Sequence, residues 1–151
     1  MINILIVDDE PFIRQGLKIL INWNFYGYNI IGEASNGNEA IKFVEKNKVD
    51  LIISDIKMPE MDGLGLAKNI YEKYNRKIKC IMLSGYYEFE YAKKAIKYGV
   101  KEYVLKPILP FRMDIAILTR EYTPRACRNS RKPMRLPTRH EMRPDSPALH
   151  A

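Results

Sequence analysis

Short apolar runs alternate with longer segments of helical spacing along residues 1–122 of the chain. The runs are rich in isoleucine, leucine and valine, which at this length is typical of buried strands. Five strands are predicted, at residues 2–7, 29–34, 50–54, 78–83 and 102–105. After each strand, apolar residues recur three or four positions apart, as one face of a helix requires. Helices are predicted at residues 11–23, 39–47, 64–74, 89–99 and 110–122.

The same spacing predicts which side of each helix faces the core. For the first helix the inward positions are Phe12, Ile13, Gly16, Leu17, Leu20 and Trp23. For the fourth they are Phe89, Ala92, Ile96 and Gly99, and for the last they are Phe111, Ile115, Leu118 and Tyr122. Lys93, Lys94 and Lys97 are expected to form a solvated outer face of the fourth helix rather than a nucleic-acid patch.

Regular alternation of strands and helices predicts an α/β fold. The expected architecture is a doubly wound, five-stranded parallel sheet with helices on both faces, joined by right-handed crossovers. With the flavodoxin-like strand order 2-1-3-4-5, the carboxyl ends of the strands form the edge where ligands bind.

Four of the five predicted strands end at a side chain capable of chemistry. Asp8 and Asp9 follow the first strand, Asp55 the third, Ser84 the fourth and Lys106 the fifth. Three carboxylates in one pocket repel one another and raise one another's pKa, unless one is protonated or a cation lies among them. Oxygen ligands on surface loops suit Mg²⁺, which shares its remaining positions with water and phosphate.

The combination of these side chains favours phosphoryl transfer onto Asp55. Lys106 supplies a positive charge for the anion, and the hydroxyl of Ser84 can hydrogen-bond a phosphoryl oxygen. Metal and lysine together would neutralise the charge that develops during transfer. Taken singly, each of these residues could instead cap a turn or lie on a solvated surface.

Four motifs carry a resemblance to the receiver domain of bacterial two-component response regulators, over residues 1–122. They are Val7-Asp8-Asp9-Glu10-Pro11, Ser54-Asp55-Ile56-Lys57-Met58-Pro59-Glu60-Met61-Asp62-Gly63, Leu83-Ser84-Gly85 and Leu105-Lys106-Pro107. The resemblance implies that Asp55 accepts a phosphoryl group from a sensor histidine kinase. It implies Mg²⁺ bound by Asp9, Asp55 and the main-chain carbonyl of Lys57, with Asp8 acting through water.

The resemblance also implies a conformational switch. Ser84 and Lys106 would contact the phosphate, and Tyr103 would rotate when Ser84 is drawn inward. The face formed by the fourth helix, fifth strand and fifth helix would then mediate homodimerisation. Because Lys106 must point into the site while the chain turns at once, the peptide bond between Lys106 and Pro107 is predicted to be cis.

Finer motifs are similar to receivers that carry an AraC-type DNA-binding output domain. They are Trp23, the segment at residues 32–37 and the segment at residues 84–92. Such an output needs roughly a hundred further residues with two helix-turn-helix units, which are absent from this sequence. DNA binding and control of transcription are therefore expected only through that missing domain.

Composition changes sharply in the last part of the chain. Up to Pro107 there are fourteen lysines and two arginines, whereas residues 108–151 contain one lysine and eight arginines. Residues 123–151 lack helical periodicity and are rich in proline, so they are predicted to be a disordered, non-native tail. The alternative is a nucleic-acid-binding tail that acts through counterion release.

Other function classes fit the sequence less well. A haloacid dehalogenase-like aspartyl-phosphate hydrolase normally has a second acid two residues after its nucleophile, where this chain has Lys57. A pseudo-receiver that only binds partners would not need the complete acidic set. The protein is therefore expected to be a phospho-acceptor with weak autodephosphorylation rather than an enzyme.

A cytoplasmic location is the default expectation. Acidic residues at positions 8–10 interrupt the first apolar run, unlike in a signal peptide, and no run approaches the roughly 20 residues of a membrane helix. Cys80 and Cys127 lack metal-ligand spacing and do not suggest a disulfide framework. Cys80 is expected to be a core residue.

Overall fold

The computed structural model describes residues 1–75, 77–85 and 89–106 of the 151-residue chain. Its five parallel strands form one sheet in the order β2-β1-β3-β4-β5, which confirms the predicted fold and strand order. The strands are β1 (Ile2–Val7), β2 (Tyr28–Ala34), β3 (Leu51–Asp55), β4 (Lys79–Ser84) and β5 (Glu102–Leu105). The predictions for the last helix, the Pro107 peptide bond and residues 123–151 lie outside the described residues.

Four α-helices and one short 3₁₀ helix connect these strands in the described part of the chain. They are α1 (Pro11–Leu20), the 3₁₀ helix (Trp23–Tyr26), α2 (Gly37–Lys46), α3 (Gly63–Tyr74) and α4 (Phe89–Lys97). Asn36 and Asp62 cap α2 and α3, because their side chains accept hydrogen bonds from main-chain N–H groups of the first turn. None of these helices is long and apolar enough to cross a membrane.

Two hydrophobic cores lie on opposite faces of the sheet. In β1, Leu5 and Val7 face the core shared with α2, α3 and α4, whereas Ile4 and Ile6 face the core shared with α1 and the 3₁₀ helix. Successive residues of a strand alternate between the faces, so a strand covered on both sides is apolar throughout. Cys80 is buried in the first core as predicted, and burial raises the pKa of its thiol to about 12.

The predicted inward face of α1 is partly wrong. Phe12 is 89% exposed and Leu20 is 42% exposed, whereas Leu17 is buried. The helix ends at Leu20, and Trp23 instead begins the 3₁₀ helix. The indole N–H of Trp23 donates to the main-chain oxygen of Leu17 at 2.9 Å, which satisfies the one polar atom of this buried side chain.

The fourth helix also presents a different face from the one predicted. Ala95 is buried, whereas Ile96, predicted to point inward, is 76% exposed. Gly99 lies beyond the end of α4 with a φ of +67°, a left-handed conformation that glycine adopts without strain. The predicted outer lysines, residues 93, 94 and 97, are exposed as expected.

Candidate functional site

The sheet brings the ends of β1, β3 and β5 to a common site. Lys106 Nζ lies 3.0 Å from Asp8 Oδ2 and 3.4 Å from Asp55 Oδ1. The lysine follows β5, which is separated from β3 by β4, so its long side chain reaches across one strand. The main-chain N–H of Lys106 donates to the carbonyl of Ser84 at 2.7 Å, which fixes where that side chain begins. One ammonium group therefore bridges two predicted site carboxylates.

Asp8 has no exposed surface, so its polar groups need partners within the protein. Its Oδ1 accepts from the main-chain N–H of Glu10 at 2.9 Å, and its Oδ2 accepts from Lys106. Its own N–H donates to the carbonyl of Ala34 at 3.1 Å. The carboxylate is therefore held by Glu10 and Lys106, while the backbone of Asp8 is held by β2.

Asp9 and Glu10 are exposed beside the buried Asp8. One potential ligand atom from each of these three residues lies within 4.8 Å of the others. Such a set of hard oxygen donors, one buried and two exposed, fits a divalent cation that keeps some of its waters. The sequence analysis assigned no metal-binding role to Glu10. Its place directly after two aspartates is the sequence signal that could have indicated one.

Asp55 is largely buried at the end of β3, with 7% of its surface exposed. Burial is the main cause that raises the pKa of its carboxyl group above the ordinary value. The positive charge of Lys106 opposes this rise, the negative charge of Asp8 adds to it, and a 2.9 Å hydrogen bond from the main-chain N–H of Ile56 lowers the pKa. A nearby cation would therefore favour the ionised carboxylate.

Lys106 carries the opposite charge in the same pocket. Burial lowers the pKa of its ammonium group, but the hydrogen bond to Asp8 and the charges of Asp55 and Asp8 outweigh burial and raise the pKa above its usual value. The lysine is consequently protonated at neutral pH. It can neutralise a carboxylate or an additional anion at this edge of the sheet.

The loop between Asp55 and α3 is held close to the main chain of Asp55. Gly63 donates its N–H to the carbonyl of Ile56 at 2.8 Å. A Cβ added to Gly63 would collide with the main-chain oxygen of Asp55, so glycine is required at this close approach. The N–H of Gly37, at the start of α2, donates to the carbonyl of Met61 at 2.9 Å and ties this loop to a second helix.

The remaining predicted site residues lie around this centre. Ser84 is the buried last residue of β4. Tyr103 is half-buried in β5 and packs against the core beneath α2, α3 and α4. Lys57 follows Asp55 by two residues, and its Nζ lies 5.7 Å from the ring centroid of Tyr91 on α4. Their assignments as phosphate contact, switch and main-chain metal ligand stay predictions.

Comparisons with known proteins show what this chain is similar to. The family model described as "Response regulator receiver domain" matches residues 4–118. The "Uncharacterized transcriptional regulatory protein YesN" of Bacillus subtilis is 46% identical over 107 residues, which are 71% of this chain. The chain spans only 29% of the length of that relative.

Solved structures show the same fold. The REC domain of AraT, a response regulator from Geobacillus stearothermophilus, is 39% identical with a TM-score of 0.71, covering 77% of this chain and 89% of that chain. CheY in the CheX–CheY–BeF₃–Mg²⁺ complex from Borrelia burgdorferi is 29% identical with a TM-score of 0.70. That alignment covers 78% of this chain and 87% of the other.

Proposed function

The chain belongs to the response regulator receiver domain family, and from this premise we propose that its phosphoryl acceptor is Asp55. The observation that carries the proposal is the bridging of Asp55 and Asp8 by the ammonium group of Lys106. This contact brings together, at one edge of the sheet, the nucleophile Asp55, the neutralising ammonium group of Lys106 and the acidic cluster that begins at Asp8. The function is a phosphorylation-dependent signalling switch.

In the proposed reaction, a carboxylate oxygen of Asp55 attacks the phosphorus of a phosphohistidine on a sensor histidine kinase. The new bond joins oxygen to phosphorus, and the phosphorus–nitrogen bond breaks with its electron pair leaving on the imidazole. Charge in such transfers is spread over the phosphoryl oxygens. Lys106 lies 3.4 Å from the attacking carboxylate and can neutralise part of that charge.

The proposed cofactor is Mg²⁺. Asp9, Asp55 and the main-chain carbonyl of Lys57 would hold it, with Asp8 acting through water. When bound, it supplies positive charge that neutralises phosphoryl oxygens. The support from this chain is the acidic cluster of Asp8, Asp9 and Glu10, whose oxygen donors fit a hard divalent cation.

The proposed switch links Ser84 to Tyr103. Met82 and Tyr103 are register partners in adjacent strands and belong to the core beneath α2, α3 and α4. Ser84 is two residues after Met82 and therefore faces the same side of the sheet. Phosphorylation would bias an existing two-state equilibrium and favour homodimerisation through α4, β5 and the helix predicted after β5.

Control of transcription is proposed for the longer protein of which this receiver would form the regulatory part. A relative with 46% identity is named as a transcriptional regulatory protein and is much longer than this chain. DNA would be bound by an output domain outside the present sequence. The proposed location is the cytoplasm, and slow hydrolysis of the acyl phosphate on Asp55 is proposed as the only turnover.

Intact-mass measurement after incubation with acetyl phosphate and Mg²⁺ tests this function. The wild-type chain should gain the mass of one phosphoryl group, and Asp55→Asn should gain none. Asp9→Ala should lose labelling because it removes a direct metal ligand. Glu45→Gln, which alters an exposed carboxylate on α2, is the matched control and should label like the wild type. Equal labelling of Asp55→Asn would show that the acceptor lies elsewhere.

A further inference from the structure

Arg14, on the first turns of α1, lies beside the acidic loop but has no role in the proposed chemistry. Its side chain is only 14% exposed. Nη1 donates to the main-chain carbonyl oxygen of Asp8 at 2.6 Å. Nε lies 3.6 Å from Oε2 of Glu33 on β2 and is buried without a hydrogen-bond partner among the described residues. A buried guanidinium with one unsatisfied N–H is costly, so its position needs an explanation.

Neutralising Glu33 does not explain why Arg14 is buried. Lys18 Nζ lies 2.7 Å from the same Glu33 oxygen, much closer than Arg14 Nε. Accordingly, the hydrogen bond from Lys18 is the main cause that lowers the pKa of Glu33, and Arg14 contributes less. The shortest contact of Arg14 is instead the one to the backbone of Asp8.

That contact closes the loop between β1 and α1. The carbonyl of Glu10 accepts the N–H groups of Ile13 and Arg14 in the first turn of α1. The side chain of Arg14 then returns from this turn to Asp8, while the Asp8 N–H is held by Ala34 of β2. Both main-chain polar groups of Asp8 are thereby fixed, one by the sheet and one by Arg14.

The loop held in this way carries three carboxylates whose oxygens lie within 4.8 Å of one another. Like charges at such distances repel, so an unrestrained loop would spread its carboxylates apart. We propose that Arg14 is a positioning residue that holds the Asp8–Asp9–Glu10 loop in the geometry needed to bind a divalent cation. This inference rests on the proposed Mg²⁺ site.

Calorimetric titration of the full chain with Mg²⁺ tests the inference. Arg14→Met should weaken Mg²⁺ binding by about 10- to 100-fold, the usual effect of removing a residue that orients metal ligands. Lys18→Met is the matched control, because it removes the closer ion pair to Glu33 without contacting Asp8. Its Mg²⁺ affinity should stay within about twofold of wild type.

Labelling rates with acetyl phosphate provide a second readout. In Arg14→Met the Mg²⁺ concentration for half-maximal rate should rise, while the rate at saturating Mg²⁺ stays close to wild type. A general loss of folded protein would lower the maximal rate instead. Thermal denaturation without Mg²⁺ identifies the temperature at which every variant is folded.

Arg14→Lys provides a second variant if Arg14→Met is unstable, since it keeps the charge but loses Nη1. It should also weaken Mg²⁺ binding. Wild-type affinity in either folded variant would overturn the positioning role, as would an equal loss in Lys18→Met. If the wild-type chain itself binds no Mg²⁺, the proposed function fails together with this inference. If the wild type binds Mg²⁺ and the Arg14 variants bind it equally well, only the inference fails.

Discussion

The Asp55 carboxyl group is buried next to a second carboxylate, and its pKa lies above the ordinary value of 3.8. As pH rises past that value, the unfolded chain releases this proton first and the folded chain retains it longer. Stability therefore falls as pH rises from the ordinary pKa through the folded pKa. The positive charge of Lys106 lowers the pKa of Asp55, but it only partly offsets the rise, since burial is the largest cause of the shift.

We expect Asp55→Asn to raise the thermal unfolding midpoint at neutral pH. The substitution removes the buried negative charge, and Lys106 keeps Asp8 as a partner at 3.0 Å. The gain should shrink as the pH falls through the folded pKa toward the ordinary value of 3.8, below which the wild-type carboxyl group is protonated in both states. Calorimetric scans between about pH 4 and pH 7 measure this difference. A midpoint for Asp55→Asn at or below wild type at neutral pH would contradict it.

Gly63 and Gly16 form a matched pair for a second residue-level prediction. A Cβ at Gly63 would collide with the backbone of Asp55, whereas a Cβ at Gly16 would meet nothing within 4 Å. Gly63→Ala should therefore destabilise the domain by about 1–3 kcal/mol and slow labelling of Asp55. Gly16→Ala lies within α1 and should stabilise it by up to about 1 kcal/mol. Urea denaturation distinguishes the two, and equal effects would show that the close approach at Gly63 is unimportant.

Part of this site was predictable residue by residue and part was not. Asp8, Asp55 and Lys106 were expected to meet because parallel strands of the predicted order share one edge, and the structure brings them together. The contact of Arg14 with Asp8 could not be predicted from the sequence, because it depends on the direction that the long arginine side chain takes from the start of α1. Sequence spacing does not specify that direction.

At the level of elements, α1 shows why hydrophobic spacing predicts a helix better than its orientation. At roughly 100° per residue, Phe12, Ile13, Leu17, Ile19 and Leu20 spread over about 160° of the helix circumference. This arc is wider than the roughly 100° stripe that a core-facing helix needs, so more than one apolar stripe fits the pattern. Contact with the sheet selects the stripe that contains Leu17 and leaves Phe12 and Ile19 exposed. The same ambiguity led to the wrong orientation of Ile96 in α4.

Paired substitutions in α1 test its observed orientation. Leu17 is 1% exposed within the core beneath α1, so Leu17→Ala should lower the free energy of unfolding by about 2–5 kcal/mol. Phe12→Ala removes a larger side chain that is 89% exposed, and its effect should stay within about 0.5 kcal/mol. Urea denaturation of both variants measures the difference. A greater loss for Phe12→Ala would mean that the helix packs through its other face.

For the whole molecule, the sequence predicted the fold more fully than the packing. Strands that are apolar throughout imply cover on both faces, and alternating helices imply parallel connections, so the strand count and the layers followed from the pattern. The order 2-1-3-4-5 was taken from the flavodoxin-like fold, and it is the order observed. The 3₁₀ helix at Trp23–Tyr26 was missed, because a four-residue turn leaves too short a pattern to distinguish from a loop. The change in composition near residue 123 remains a prediction about domain extent.

Two truncations test that extent. The family match ends at residue 118, and the apolar positions Phe111, Ile115, Leu118 and Tyr122 fit one helical face. Residues beyond 122 are rich in arginine and proline and offer little apolar surface to offset the roughly 1–2 kcal/mol per residue that ordering costs. Ending the chain after Tyr122 should therefore leave the thermal midpoint and Asp55 labelling unchanged.

Ending the chain after Pro107 is the contrasting truncation. It removes eleven residues of the family match, including three of the four apolar positions, and should destabilise the domain severely. Thermal scans and acetyl phosphate labelling of both truncations beside the full chain measure the outcome. If the cut after Tyr122 alone lowers the midpoint by several degrees or abolishes labelling, residues 123–151 are a working part of the protein. DNA binding by the full chain that disappears with this cut and weakens with salt would then favour a nucleic-acid role for the tail.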